Sequence, residues 1–208
     1  DRVIISNKHA LSLDWTHIKV KGLWHTRDSV TIQAICKGGN TTDIAAVRLP
    51  SGDQFKDNVS KFISKNDPFP LPMTQITGVK NADTATLYTG TFVKAQTQIF
   101  STAGNQYGNA FHYKANTYKG YCGSAIFGKC GNSDKIIGFH SAGASGVAAG
   151  SILTREMLEQ ICANLGPTPL EEQGALTLIG TGEVSHVPRK TKLRRSLAHP
   201  HFKPNYDV

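Results

Sequence analysis

Residues 120–143 read GYCGSAIFGKCGNSDKIIGFHSAG: a cysteine with glycines two before and one after it, then two strand-like runs, the second ending in Gly-Phe-His-Ser-Ala-Gly. A structural thiol needs neither glycine. A backbone that bends sharply around a nucleophile, with its N–H groups aimed at a developing oxyanion, needs both. The runs GSAIFGK (123–129) and DKIIGFH (134–140) read as two strands, with GKCGNSD (128–134) as an extended hairpin between them.

Outward from this stretch the chain keeps the same character. Short β-branched or alternating runs occur at Val3–Ser6, Thr16–Val20, Ser29–Cys36 and Asp43–Leu49, and resume at 84–100, 109–116 and 146–153. A proline-rich break, NDPFPLP, occupies 66–72. The one late helix is TREMLEQICANL (154–165), with Thr154 as N-cap, Gly166 just past its end, and Met157, Leu158, Ile161 and Leu165 on its apolar face. This is an all-β pattern with a terminal helix, and two packed antiparallel barrels or sandwiches suit it. The expected organisation is an N-terminal β-barrel over 1–65, a connection at 66–72, a second barrel with its helix over 73–173, and a separate region over 174–208.

Composition narrows the function. No run of 18 apolar residues is present, so no membrane insertion is expected. The four cysteines, 36, 122, 130 and 162, form no CxxC pair. Cys122 and Cys130 with His112 or His140 are too loosely spaced for a zinc site, so no metal or other cofactor is expected. The net charge is +8, and residues 174–208 carry half of it, with six bases against two acids. A basic body of this kind favours polyanions without selecting one.

Cys122 is the candidate nucleophile, and a thiol needs a base and a group to orient that base. His9 follows the run RVIIS and is expected at a strand end; Asp43 opens DIAAVRL, at the mouth of a buried strand. His17 and His25 compete for the first role and Asp28 for the second. The order His, Asp, Cys is that of the chymotrypsin architecture, and this joint order favours His9 and Asp43. No G-x-S-x-G elbow is present, which disfavours a serine hydrolase.

GYCGS and GFHSAG together resemble the Gly-x-Cys-Gly and Gly-x-His-x-Ala-Gly motifs of the 3C-type cysteine proteases of picorna-like viruses, and DIAAVRLP resembles the acid-bearing strand of chymotrypsin-like proteases. The resemblance implies two chymotrypsin-like barrels and an endopeptidase that cuts a viral polyprotein after glutamine. It implies Cys122 as nucleophile, His9 as base, Asp43 as its orienting acid, and the N–H groups of Gly120, Tyr121 and Cys122 as the oxyanion hole. It places His140 and Thr117 in the pocket for the P1 glutamine, Tyr113 behind His140 to keep it neutral, and Ser141, Ala142 and Gly143 along the substrate backbone. The family carries a helix and two strands before its histidine-bearing strand, so a truncated N-terminal barrel is expected here. The interval between Cys122 and His140 is longer than in typical picornaviral members and points to a virus outside the true picornaviruses.

The end of the chain extends this reading. Gln173-Gly174, in PLEEQGAL, matches the family's cleavage preference, and PRKTKLRRS resembles the start of a picorna-like RNA-dependent RNA polymerase. Partners expected from the resemblance are viral polyprotein segments, the downstream polymerase and viral RNA, in the host cytoplasm at replication complexes. DQFKDNVSKFI resembles the family's RNA-binding stretch, with Phe55, Lys56, Asp57 and Lys61 as its contacts. The alternative function is therefore an RNA-binding module with secondary or lost peptidase activity.

Overall fold

The strand that carries Asp43 explains the first half of the chain. In the computed structural model, which describes residues 2–11, 14–37, 40–50, 55–81, 84, 86–96, 100–102 and 105–165, that half contains β1 (Val3–Ser6), a one-turn helix α1 (Lys8–Leu11), β2 (His17–Val20), β3 (Leu23–Thr26), β4 (Thr31–Lys37) and β5 (Asn40–Arg48). β5 lies between β1 and β4. Its side chains alternate between two cores. Ala45 and Val47, with Leu49 just beyond, face Leu11 and Trp15; Ile44 and Ala46 face a cluster with Ile35, Phe62, Phe139, Leu153, Leu158 and Ile161. Burial on both faces makes the run continuously apolar, and Asp43 stands out within it. β2 and β3 form a separate ribbon whose two-residue turn, Lys21-Gly22, has positive φ at both positions, as a type I′ hairpin needs.

The second half is a closed barrel in the order β10-β13-β12-β11-β6-β7, made of β6 (Gln75–Asn81), β7 (Thr86–Gln96), β10 (Ala110–Lys114), β11 (Ala125–Cys130), β12 (Ser133–Ala144) and β13 (Val147–Ile152); β8 (Phe100–Thr102) and β9 (Asn105–Tyr107) form a small ribbon beside it. Its interior holds Ile63, Ile76, Phe92, Phe111, Tyr113, Ile126 and Ile137. The Phe111 ring lies against Gly150, where an added Cβ would come within 2.3 Å of it, so the barrel closes only because that position is bare. The helix α2 (Arg155–Asn164) starts at Thr154, whose side chain accepts from the Met157 N–H. Leu158 and Ile161 then cover the cluster shared with β5, joining the two halves through an apolar core. The Glu156 carboxylate accepts from the Ser64 hydroxyl at 2.7 Å and the Lys65 amide at 3.0 Å, tying the helix to the connecting loop. No helix among the described residues is long and apolar enough to cross a membrane.

Several expectations need adjusting. His9 sits not on a strand end but in α1, directly after β1. Asp43 is inside β5, which begins at Asn40, and is fully buried rather than at the mouth of the strand. The sequence reading missed β3 and β9, which are short runs beside turns, and the seven-residue β6, which follows closely on the proline-rich break. The chain divides into two units, Asp1–Glu171 and Glu172–Val208. The second unit, with the Gln173-Gly174 junction and the polymerase-like stretch, lies outside the described residues, as does Gly166.

Candidate active site

Cys122 projects from the loop between β10 and β11, between Gly120 at φ +89° and Gly123 at φ +85°. An L side chain is strained at either angle. The loop is pinned to β12 by two bonds: the Gly123 N–H donates to the His140 carbonyl at 3.0 Å, and the His140 N–H to the Ser124 carbonyl at 2.9 Å. The Tyr121 N–H donates to the Tyr118 carbonyl at 3.2 Å. That commits one of the three expected oxyanion donors to closing a turn and leaves Gly120 and Cys122 as the candidates. The Cys122 sulfur lies 3.5 Å from the Ser141 carbonyl oxygen, which accepts from it.

His9 is placed beside this sulfur by Asp43. The Asp43 Oδ2 atom lies 2.7 Å from His9 Nδ1, and Oδ1 accepts the His9 backbone N–H at 2.9 Å. Burial opposes charge on the imidazole, but hydrogen bonds to Asp43 and Cys122, together with their negative charge, outweigh it and raise the His9 pKa to about 9. The competitors lie elsewhere. His17 is exposed on β2 beside Thr16, His25 is buried on β3, and Asp28 is exposed in the turn after β3. Among the other thiols, burial raises Cys130 to about 11 and also raises Cys162, which suits unreactive positions.

A cleft of about 450 Å³ opens at Cys122, lined also by Thr117, His140, Ser141, Ala142 and Gly143. Burial, reinforced by the charge of His9, pushes the His140 pKa down to about 4, so this ring is neutral at ordinary pH. The Tyr113 hydroxyl is 2.6 Å from His140 Nδ1, and burial raises its pKa above the usual phenol range. A phenol kept protonated donates to Nδ1, which leaves the ring proton on Nε2 as a donor for a ligand. Thr117 and His140 meet at Gly143: a Cβ there would lie 2.1 Å from Thr117 Oγ1 and 3.5 Å from His140 Cε1.

β12 supplies an edge along this cleft. Its pairing with β11 ends where Ala125 faces Phe139, and a bulge at Ser141 shifts its register with β13. Residues 141–144 therefore run past β11 with one side turned to the cleft. Sequence reasoning missed three residues here. Asn7, buried, contacts Asp43 and Ser141. Ser151 meets the Ser141 hydroxyl at 2.9 Å. The Tyr88 hydroxyl lies 3.3 Å from that of Tyr113. No motif signals any of the three. Of the expected RNA contacts, Lys56 and Lys61 are exposed. Phe55 packs on the first core with the Lys21 ammonium 4.7 Å from its ring centre, and Asp57 accepts the Val59 N–H at 2.9 Å.

Comparison with known proteins adds an independent line. A family model for the 3C cysteine protease (picornain 3C) matches residues 1–145. Over 205 residues, 99% of the chain, the sequence is 45% identical to the genome polyprotein of Mengo encephalomyocarditis virus and 40% identical to that of Theiler's murine encephalomyelitis virus, strain GDVII. The chain spans only 9% of the length of each. These relatives correct the expectation, drawn from the long hairpin, of a virus outside the true picornaviruses. Among solved structures it resembles that of the HRV-C 3C protein with rupintrivir, with a TM-score of 0.58 and 18% identity, covering 75% of this chain and 82% of that one.

Proposed function

The chain belongs to the 3C cysteine protease (picornain 3C) family, and we propose that its cleft cleaves a viral polyprotein after glutamine, using Cys122, His9 and Asp43. The observation that carries this reading is that the Asp43–His9 pair meets the Cys122 thiol beside the pocket where His140 and Thr117 converge.

The chemistry follows from those positions. His9, whose proton affinity Asp43 and Cys122 raise to about 9, already holds the proton given up by the Cys122 thiol when the sulfur attacks the scissile carbonyl carbon. The carbonyl electrons move onto oxygen, where the amides of Cys122 and Gly120 are the donors; loss of one such donor costs about 3 to 4 kcal/mol of transition-state stabilisation. The tetrahedral species collapses, the C–N bond breaks, and His9 returns the proton to the leaving amine. Water, deprotonated by His9, then hydrolyses the thioester and frees the thiol. Asp43 holds the imidazole in one tautomer throughout. In the pocket the neutral His140 donates from Nε2, and Thr117 from its hydroxyl, to the amide oxygen of a glutamine. A P1 segment lying along residues 141–144 adds a strand to the edge of β12.

The test is incubation with a peptide spanning PLEEQGAL, read by mass spectrometry. Cleavage between Gln and Gly that vanishes in Cys122→Ala and persists in Cys162→Ala supports the reading. Cleavage elsewhere, or persistence in Cys122→Ala, rejects it. RNA contact through the exposed Lys56 and Lys61 is a second reading. It requires an affinity that falls steeply with salt and drops when both lysines are replaced.

A further inference from the structure

Asn7 occupies the position just before α1, where the Leu11 N–H donates to its carbonyl at 3.3 Å. An Asn there ordinarily turns its side-chain oxygen back onto the helix N–H groups. Here that task falls to another strand, since Asp43 Oδ1 accepts the His9 N–H at 2.9 Å. The Asn7 amide points away instead. Its Nδ2 donates to Asp43 Oδ2 at 2.9 Å and to Ser141 Oγ at 2.9 Å, with a longer approach to the Asp43 carbonyl oxygen at 3.3 Å.

This orientation leaves a mismatch. Asn7 is 1% exposed, and its Oδ1 is buried without a hydrogen-bond partner among the described residues. Reversing the amide does not relieve it, because the carbonyl oxygen would then sit 2.9 Å from a carboxylate oxygen. A group kept buried with an unmatched acceptor calls for a reason other than packing.

The geometry supplies one. Two further bonds to the Asp43 carboxylate among the described residues, from the backbone N–H and Nδ1, come from His9. Those bonds lock acid to base, but they do not fix the pair against the sulfur, which sits on the second half of the chain. Ser141 belongs to that half, its carbonyl accepts from the Cys122 thiol at 3.5 Å, and its hydroxyl meets Ser151 on β13 at 2.9 Å. Asn7 spends one proton on each side. We infer that Asn7 is a positioning residue that registers the Asp43–His9 pair against Cys122. This rests on the roles proposed above for those three residues.

The experiment reads the thiol without a substrate. Iodoacetamide alkylation of Cys122 in the full chain at pH 7, mapped by mass spectrometry, is compared for wild type, Asn7→Leu, Asp43→Ala and the double variant. Leucine keeps the shape of Asn7 and removes the donor and the orphaned acceptor. If Asn7 acts through Asp43, Asn7→Leu slows alkylation about tenfold in the wild-type background and less than about twofold in Asp43→Ala. The buried Cys130 stays unlabelled in every folded variant. Ser141→Ala removes the other anchor; it slows Cys122 in the same direction and adds little to Asn7→Leu. In peptide turnover, kcat falls more than KM rises. Equal slowing in both backgrounds, or none, overturns the inference. A wild-type protein that alkylates at Cys122 but leaves the peptide whole refutes the substrate, not the positioning. A Cys122 no faster than Cys162 in wild type refutes both.

Discussion

Tyr113 on β10 and His140 on β12 hold each other across the intervening strand β13, with the phenol oxygen 2.6 Å from Nδ1 and both side chains buried. The ring proton of His140 is thereby kept at the cleft end. Tyr113→Phe keeps the packing and loses this bond. The preference for Gln over Glu at P1 is then expected to fall by up to about tenfold, the worth of one hydrogen bond. The ratio of kcat/KM for paired peptides measures it.

Gly143 is bare because Thr117 needs the space. In Gly143→Ala the new Cβ would lie 2.1 Å from Thr117 Oγ1, so the hydroxyl must leave the pocket. Turnover of Gln peptides is expected to drop at least about tenfold. Gly143 is exposed, so the melting temperature changes little. Alkylation of Cys122 by a small reagent, which needs no pocket, continues at the parental rate.

The two site histidines impose opposite pH dependences on stability. His9 holds its proton more tightly folded, at about 9, than unfolded, near 6.5. Its contribution is full below pH 6.5 and is lost as pH rises through 9, a change on the order of 3 kcal/mol at the limit. His140 holds its proton less tightly folded, at about 4. Its contribution is full above pH 6.5 and declines as pH falls toward 4, below which both states are protonated. Their combined effect peaks near pH 6.5. Denaturant midpoints from pH 4 to 9.5 are expected to lose the alkaline slope in His9→Ala and the acid slope in His140→Phe.

Phe111 fills the barrel above Gly150. Phe111→Ala is expected to cost about 3 to 5 kcal/mol in urea unfolding. Gly150→Ala drives a Cβ to within 2.3 Å of the ring, an overpacking worth about 1 to 3 kcal/mol. Pairing it with Phe111→Leu should recover part of that loss, because the two positions share one space.

The parts of the fold legible in the sequence were those encoded locally. Gly120 and Gly123 announced the nucleophile turn, and the apolar spacing of Leu158 and Ile161 announced α2. The Gly-Phe-His-Ser-Ala-Gly motif marked the strand that lines the cleft. What stayed hidden depends on partners distant in the chain. Asn7 is 134 residues from Ser141, and nothing around either residue marks the pairing. Tyr88 reads as one more strand aromatic until β7 brings it to Tyr113. The burial of Asp43 was missed because the strand was begun three residues late.

The reciprocal bonds between the Cys122 loop and His140 separate two kinds of distance. In space, nucleophile and pocket histidine are fixed by the Gly123–His140 and Ser124–His140 contacts. Along the chain, they are joined through a hairpin whose tip, Gly131-Asn132, lies roughly 20 Å further down the strands at about 3.4 Å per residue. Lengthening that tip moves neither group. The hairpin is thus free to drift in length between relatives, or to carry an inserted tag, while the reach from sulfur to pocket, which decides which bond is cut, stays constant.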